Sequence, residues 1–227
     1  MSKDSLSFQT PSPLIDDEGA RFAHHWCPRG AETMWPNRWL GVPAIQNPFD
    51  AWIIQEIIWE TRPDVIIETG TLAGGGATLW ASLLAMAGGG RVITIDVSNG
   101  PEMHPDAAEV PLVQERVEFV EGSSVDPRIV GEVAAKVAGE RVMVILDSDH
   151  HKDHVLAELQ AWGPLVTPGC YVVVQDGIAS LLAENFGPGA THATLEWLET
   201  NPDFAVDHER ERLLFTMCPS GFVKRLR

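Results

Sequence analysis

From Asp64 onward the chain alternates short β-branched apolar runs with stretches whose apolar residues recur at helical spacing. Val65 to Ile67 leads through a glycine-rich turn to an apolar helix around Ala77 to Met86, and Arg91 to Asp96 is the next strand. Val117 to Val120 follows, then a helix near Ile129 to Val137 and a strand at Val142 to Leu146. Another helix covers about Val155 to Trp162, closed by Gly163 and Pro164, and Tyr171 to Val174 is a fifth strand. Such alternation predicts a mostly parallel, doubly wound α/β sheet covered on both faces. After a helix near Thr194 to Leu198, Phe204 to Val206 and Leu213 to Met217 read as an antiparallel pair at the sheet edge.

Ahead of the sheet a helix is predicted from Pro48, with Asn47 as its cap and Phe49, Trp52, Ile53, Ile57 and Ile58 at helical spacing; Arg62-Pro63 ends it. Trp80, Leu83 and Met86 share one helical face and are expected in the core. Residues 1–46 differ from the rest, being broken by Pro11, Pro13, Pro28, Pro36 and Pro43 with Trp26, Trp35 and Trp39 among them. They read as an irregular arm whose rings pack on the body or meet a neighbouring subunit, with Trp35 and Trp39 also suited to cover a ligand pocket as a lid. The expectation is one domain over 47–227 with an N-terminal arm over 1–46.

Composition narrows the partners. Among 227 residues, 16 Lys and Arg stand against 32 Asp and Glu, a formal net charge of -16. That balance disfavours nucleic acid, whose affinity rests on clustered basic residues, and anionic membrane surfaces as well. No apolar run reaches the length of a membrane span, and Met1 to Asp17 lacks the order of a secretion signal, so a cytoplasmic protein is expected. Cys27, Cys170 and Cys218 form no CxxC pair and suit free thiols.

Ligands of open α/β sheets bind beyond the carboxyl ends of the strands. The first such loop runs Glu68-Thr69-Gly70-Thr71-Leu72-Ala73-Gly74-Gly75-Gly76. Its spacing is not GxGxxG, which disfavours a dinucleotide and a nicotinamide oxidoreductase but allows a single nucleoside with a charged tail, or a plain tight turn. Asp96, ending the second strand, suits ribose hydroxyls. Ser123 and Ser124 suit an adenine edge, while Asp126 fits a helix cap.

The fourth loop is the densest. Asp147, Asp149 and Asp153 with His150, His151 and His154 put three carboxylates and three imidazoles within eight residues after an apolar strand. Such a cluster implies a bound cation or a catalytic role. Asp147 or Asp149, with Gln175 and Asp176 after the fifth strand, would suit Mg²⁺, leaving His150 to take a proton from a substrate hydroxyl. His151, Asp153 and His154 also fit a solvated first helical turn.

These residues carry a resemblance. Trp39-Leu40-Gly41-Val42-Pro43, Asn47-Pro48-Phe49-Asp50, Arg62-Pro63-Asp64 through Thr71, Leu146-Asp147-Ser148-Asp149-His150 and Asn201-Pro202-Asp203-Phe204 resemble the cephalosporin hydroxylase family, over about residues 35 to 227. That family, despite its name, has the Rossmann-like class I S-adenosyl-L-methionine-dependent methyltransferase fold, and its relatives include O-methyltransferases of macrolide sugars. The resemblance implies a methyl donor over the loop of Glu68, Gly70, Thr71, Gly74 and Gly75, with its ribose on Asp96 and its adenine near Ser123 and Ser124. It implies a divalent metal on Asp147, Gln175 and Asp176, with Asp149 as a competing ligand and His150 as base. It also implies a homo-oligomer. Gln175 departs from the family pattern, because an acidic pair would put a glutamate there; that bears on metal dependence.

The expected activity is therefore Mg²⁺-assisted O-methylation of a small natural-product hydroxyl. Three alternatives stand beside it. One is nitrogen- or carboxylate-directed methyl transfer with a weakened metal site. Another is a 2-oxoglutarate and iron hydroxylase using His151, Asp153 and either His192 or His208. The third is a non-catalytic protein that keeps the fold.

Overall fold

Residues 17–99, 104–183 and 186–227 are described by the computed structural model of the chain. Pro11, Pro13 and the leader reading of the first sixteen residues lie outside them. The described helices are α1 (Asp17–Trp26), α2 (Gly30–Thr33), α3 (Pro48–Thr61), α4 (Gly75–Met86), α5 (Pro105–Ala108), α6 (Pro111–Arg116), α7 (Pro127–Lys136), α8 (Lys152–Trp162), α9 (Ala179–Leu182) and α10 (Ala190–Thr200). The strands are β1 (Arg38–Trp39), β2 (Val42–Pro43), β3 (Val65–Thr69), β4 (Arg91–Asp96), β5 (Val117–Glu121), β6 (Val142–Leu146), β7 (Tyr171–Val174), β8 (Phe204–Val206) and β9 (Phe222–Arg225).

Strands β3 to β9 form one sheet in the order β5-β4-β3-β6-β7-β9-β8, parallel from β5 to β7 and antiparallel where β9 joins β7 and β8. The two-residue period of the strands divides the core in two. Val65, Ile67, Ile93, Val144 and Val172 face Ile129, Leu159, Trp162 and Trp197 of α7, α8 and α10. Ile66, Val92, Met143, Ile145 and Val173 face Ile53, Ile57, Trp80 and Leu84 of α3 and α4. Strands buried on both faces read as continuous apolar runs for this reason.

Four expectations need correction. The arm is not wholly irregular, since it contains α1, α2 and the β1–β2 hairpin. Phe22 and Trp26 of α1 pack with Phe49 and Phe215, so part of the arm lies on the body. Leu213 to Met217 is not a strand, because the Met217 amide and the Thr216 hydroxyl donate to the buried Asp50 carboxylate, at 2.8 and 2.6 Å, instead of to a neighbouring strand. The second antiparallel strand is β9. Trp52 and Met86 point outward, 63% and 67% exposed, because Ile54 and Leu84 take the buried positions. Among the described residues no helix is long and apolar enough to cross a membrane.

Candidate active site

Strand order reverses between β3 and β6: β4 and β5 lie to one side of β3, and β6 and β7 to the other. A crevice opens at such a point beyond the carboxyl ends. Here it is a cleft of about 540 Å³ lined by Glu68, Gly70, Thr71, Asp96, Ser123, Ser124, Asp147, Asp149, His150 and Asp176, among others. The loops leave the sheet still paired: the Asp147 amide donates to Thr69 O at 2.9 Å and the Gln175 amide to Leu146 O at 2.9 Å.

The glycine loop owes its shape to its neighbours. Gly70 has φ +84°, and a Cβ there would lie 2.5 Å from the Asp147 carbonyl carbon. Gly75 is pressed in the same way against Pro43 and Ala44, and a Cβ on Gly76 would meet Glu68 Oε1 at 2.5 Å. Gly74 caps α4 but faces Ala107 and Phe119, away from the cleft. The Thr71 and Leu72 amides donate to Asp96 Oδ2 at 2.9 and 3.3 Å, and the Ser98 amide to Oδ1 at 3.1 Å. Beneath them Glu68 is buried, accepting from Trp80 Nε1 at 2.7 Å and Thr94 Oγ1 at 2.6 Å. Burial pushes its carboxyl up to about 7, against the pull of those two bonds.

Asp147, His150 and Asp176 place one ligand atom each within 4.8 Å of one another. His150 Nε2 lies 3.3 Å from Asp176 Oδ2. The Asp147 carboxyl is held well above the carboxylate range by burial, then by the charges of Asp176 and Glu68, while a hydrogen bond from Gln46 opposes them. Asp176 is also raised by burial, with His150 opposing. Its φ of +53° is an uncommon setting for a side-chain-bearing residue, although Asp tolerates it better than most. Two half-buried carboxylates beside an imidazole form an oxygen-rich donor set whose repulsion a divalent cation relieves, so these residues fit Mg²⁺.

The other predicted ligands lie apart from this trio. Asp149 is at the rim, 53% exposed; the His151 amide donates to its Oδ1 at 2.9 Å and His151 Nδ1 pairs with it at 2.6 Å, which together keep its carboxyl below the usual range. Gln175 is buried behind the cleft wall, its Nε2 without a hydrogen-bond partner. The oxygenase triad does not assemble. His151 stacks on Phe186 at 4.7 Å, His192 Nδ1 accepts from the Gly189 amide, and His208 pairs with Glu211.

His154 differs from the solvated helix start expected of it. Its Nε2 lies 3.2 Å from both Ser124 Oγ and Ser148 Oγ, and the buried Glu158 one turn along α8 raises its pKa. Trp162 Nε1 donates to Ser124 O at 2.9 Å, so α8 fixes the loop carrying Ser123 and Ser124. The i, i+4 spacing of His154 and Glu158 was a usable signal. Gln46 was also missed, and no local pattern marks it.

A sequence model of a family described as rhamnosyl O-methyltransferase/CmcI matches residues 32–226. A rhamnosyl O-methyltransferase of Mycobacterium bovis (strain BCG / Pasteur 1173P2) is 33% identical over 226 residues, 96% of this chain and 88% of that protein. Among solved structures, one of CmcI with Mg and SAM superposes with a TM-score of 0.63 at 20% identity, covering 100% of this chain and 93% of the other. An O-methyltransferase from Bacillus cereus in complex with SAH gives 0.54 at 18% identity, covering 85% and 84%. Both structures share the mostly parallel seven-stranded architecture.

Proposed function

This chain belongs to the rhamnosyl O-methyltransferase/CmcI family, and from that premise we propose that it is an S-adenosylmethionine-dependent O-methyltransferase acting with Mg²⁺ on a hydroxyl of a small natural product. The name of the mycobacterial relative favours a sugar hydroxyl. The observation that carries the reading is the trio Asp147, His150 and Asp176 in the cleft that Asp96 and the glycine loop also line. When bound, S-adenosylmethionine supplies an electrophilic methyl group and Mg²⁺ on Asp147 and Asp176 lowers the pKa of a hydroxyl that contacts it. His150 Nε2 takes the hydroxyl proton, and Asp176 beside it stabilises the imidazolium that results. Asp96 has oxygen lone pairs left for ribose hydroxyls, and Ser123 and Ser124 offer hydroxyls to an adenine edge. Gly70 and Gly76, packed closely on Asp147 and Glu68, fix the loop over which the donor would lie and so help hold donor and acceptor in line.

The test is product formation from labelled methyl donor with a panel of glycosides and their aglycones, with Mg²⁺ and with chelator. Asp147→Asn and His150→Ala are expected to bind donor in a calorimeter while losing on the order of 10²-fold or more in turnover. Full turnover in those variants, or indifference to chelator, would discard the metal-assisted mechanism. A cytoplasmic, homo-oligomeric enzyme belongs to the same reading, and light scattering tests its assembly.

A further inference from the structure

Asp176 stands in a turn that has to be held. A side-chain-bearing residue keeps a φ of +53° only where its surroundings impose it. On one side of the turn the Gln175 amide is still paired with Leu146 O. On the other, the Ile178 amide donates to Met217 O at 3.1 Å, and the Asp176 amide itself hydrogen-bonds the Cys218 sulfur. The turn therefore leans on residues 216–218, which lie outside any helix or strand.

That segment has an anchor of its own. Asp50, 3% exposed in the first turn of α3, accepts from the Thr216 hydroxyl at 2.6 Å, the Met217 amide at 2.8 Å and the Cys218 thiol at 3.7 Å. The Thr216 hydroxyl accepts in turn from the Cys218 amide at 2.9 Å. One carboxylate thus engages a donor from each of three consecutive residues, and Asn47 Nδ2, at 2.8 Å, steadies it from behind. The Cys218 thiol is the shortest link, accepting from the Asp176 amide and donating to Asp50 Oδ2. We propose that Asp50 is a positioning residue for Asp176: it holds residues 216–218 and, through the Met217 carbonyl and the Cys218 thiol, the turn that sets the Asp176 carboxylate beside Asp147 and His150. Its consequence for Mg²⁺ rests on the reading of that trio given above.

The experiment uses the full chain and two readouts: amide hydrogen exchange without metal, and the rise in melting temperature as Mg²⁺ is added. Asp50→Ala, with Thr216→Val as a milder second variant, is expected to speed exchange at Asp176 and Ile178 about tenfold more than at Val144 in the sheet. The half-saturating Mg²⁺ concentration should rise by about the same factor. Asp50→Asn is expected to stay near wild type in both readouts, because its amide oxygen can replace Oδ2 and Thr216 Oγ1 can accept from its NH₂. Ile57→Ala, buried two turns further along α3, destabilises the fold without touching these bonds and should alter neither the exchange ratio nor the Mg²⁺ response. Exchange that accelerates equally in the turn and the sheet would overturn the assignment. So would Asp50→Asn as impaired as Asp50→Ala, or an unchanged Mg²⁺ response in Asp50→Ala where wild type responds. Wild type indifferent to Mg²⁺ would remove the metal reading, and the exchange ratio alone would then decide the positioning.

Discussion

Replacing Glu68 with glutamine removes one titratable proton and changes almost no volume, so it isolates the electrostatics beneath the cleft. Burial raises the Glu68 carboxyl from 4.5 to about 7, the Asp96 charge adds to the rise, and the bonds from Thr94 and Trp80 oppose it. The folded chain therefore holds this proton more tightly than the unfolded chain does. Its stabilising contribution is complete below about pH 4.5 and is lost as the pH climbs through about 7. At about 1.4 kcal/mol per pH unit, the loss amounts to about 3 kcal/mol. The amide introduced by Glu68→Gln would have no proton to lose: its oxygen still accepts from Trp80, and the Thr94 hydroxyl can turn its proton to Thr71 Oγ1, 2.6 Å away. Urea unfolding of both proteins between about pH 5 and about pH 8 should show the variant gaining about 3 kcal/mol relative to wild type as the pH rises. Asp50, raised by burial to about 6, titrates in both proteins and cancels in the difference. Stability curves that run parallel across the range would refute the argument.

Gly70→Ala should cost about 2 kcal/mol or more, from a left-handed backbone and a methyl group forced against Asp147 O, and should weaken donor binding; calorimetric melting and donor titration both at wild-type values would contradict this. Asp50→Ala strips an acceptor from Asn47, Thr216 and the Met217 amide, so urea midpoints should show a loss of about 3 kcal/mol. Gln175→Glu adds a buried carboxylate next to Asp176, so added Mg²⁺ should raise the melting temperature of this variant more than that of wild type; equal rises would show that position 175 does not sense the ion.

The sheet was legible because its strands are buried on both faces: runs such as Val142 to Leu146 have no polar residue to blur their ends. Leu213 to Met217 has the same apolar look, yet its backbone is claimed by Asp50, more than 160 residues earlier in the chain. No local pattern carries that pairing. Trp52 was misplaced because α3 is apolar on more than one side, so periodicity alone could not choose between Trp52 and Ile54 as the buried position. Asp147 and Asp176 could be read as neighbours from the parallel order of their strands. Which of Asp147 and Asp149 lies beside Asp176 required side-chain directions, since His151 holds Asp149 at the rim. Gln46 reaches the cleft only because the arm folds over α4, and nothing near it in sequence announces that fold.

The glycine-rich loop marked a ligand site for a reason that differs from its mechanics. Its glycines were read as room for a ligand, but Gly70, Gly75 and Gly76 each stand where a methyl group would strike Asp147, Pro43 or Glu68. The loop is thus gripped from the neighbouring β6 loop, from the arm and from the end of its own strand, while its amides hold Asp96 in place. A wall fixed by so many chain contacts has little freedom left to lose when a ligand arrives, so less ordering entropy opposes binding. The same contacts set the distance between the glycine loop and Asp147. The space for a methyl donor and the position of the trio that would activate its acceptor are therefore one geometric quantity, which is why a single methyl group on Gly70 is expected to disturb both.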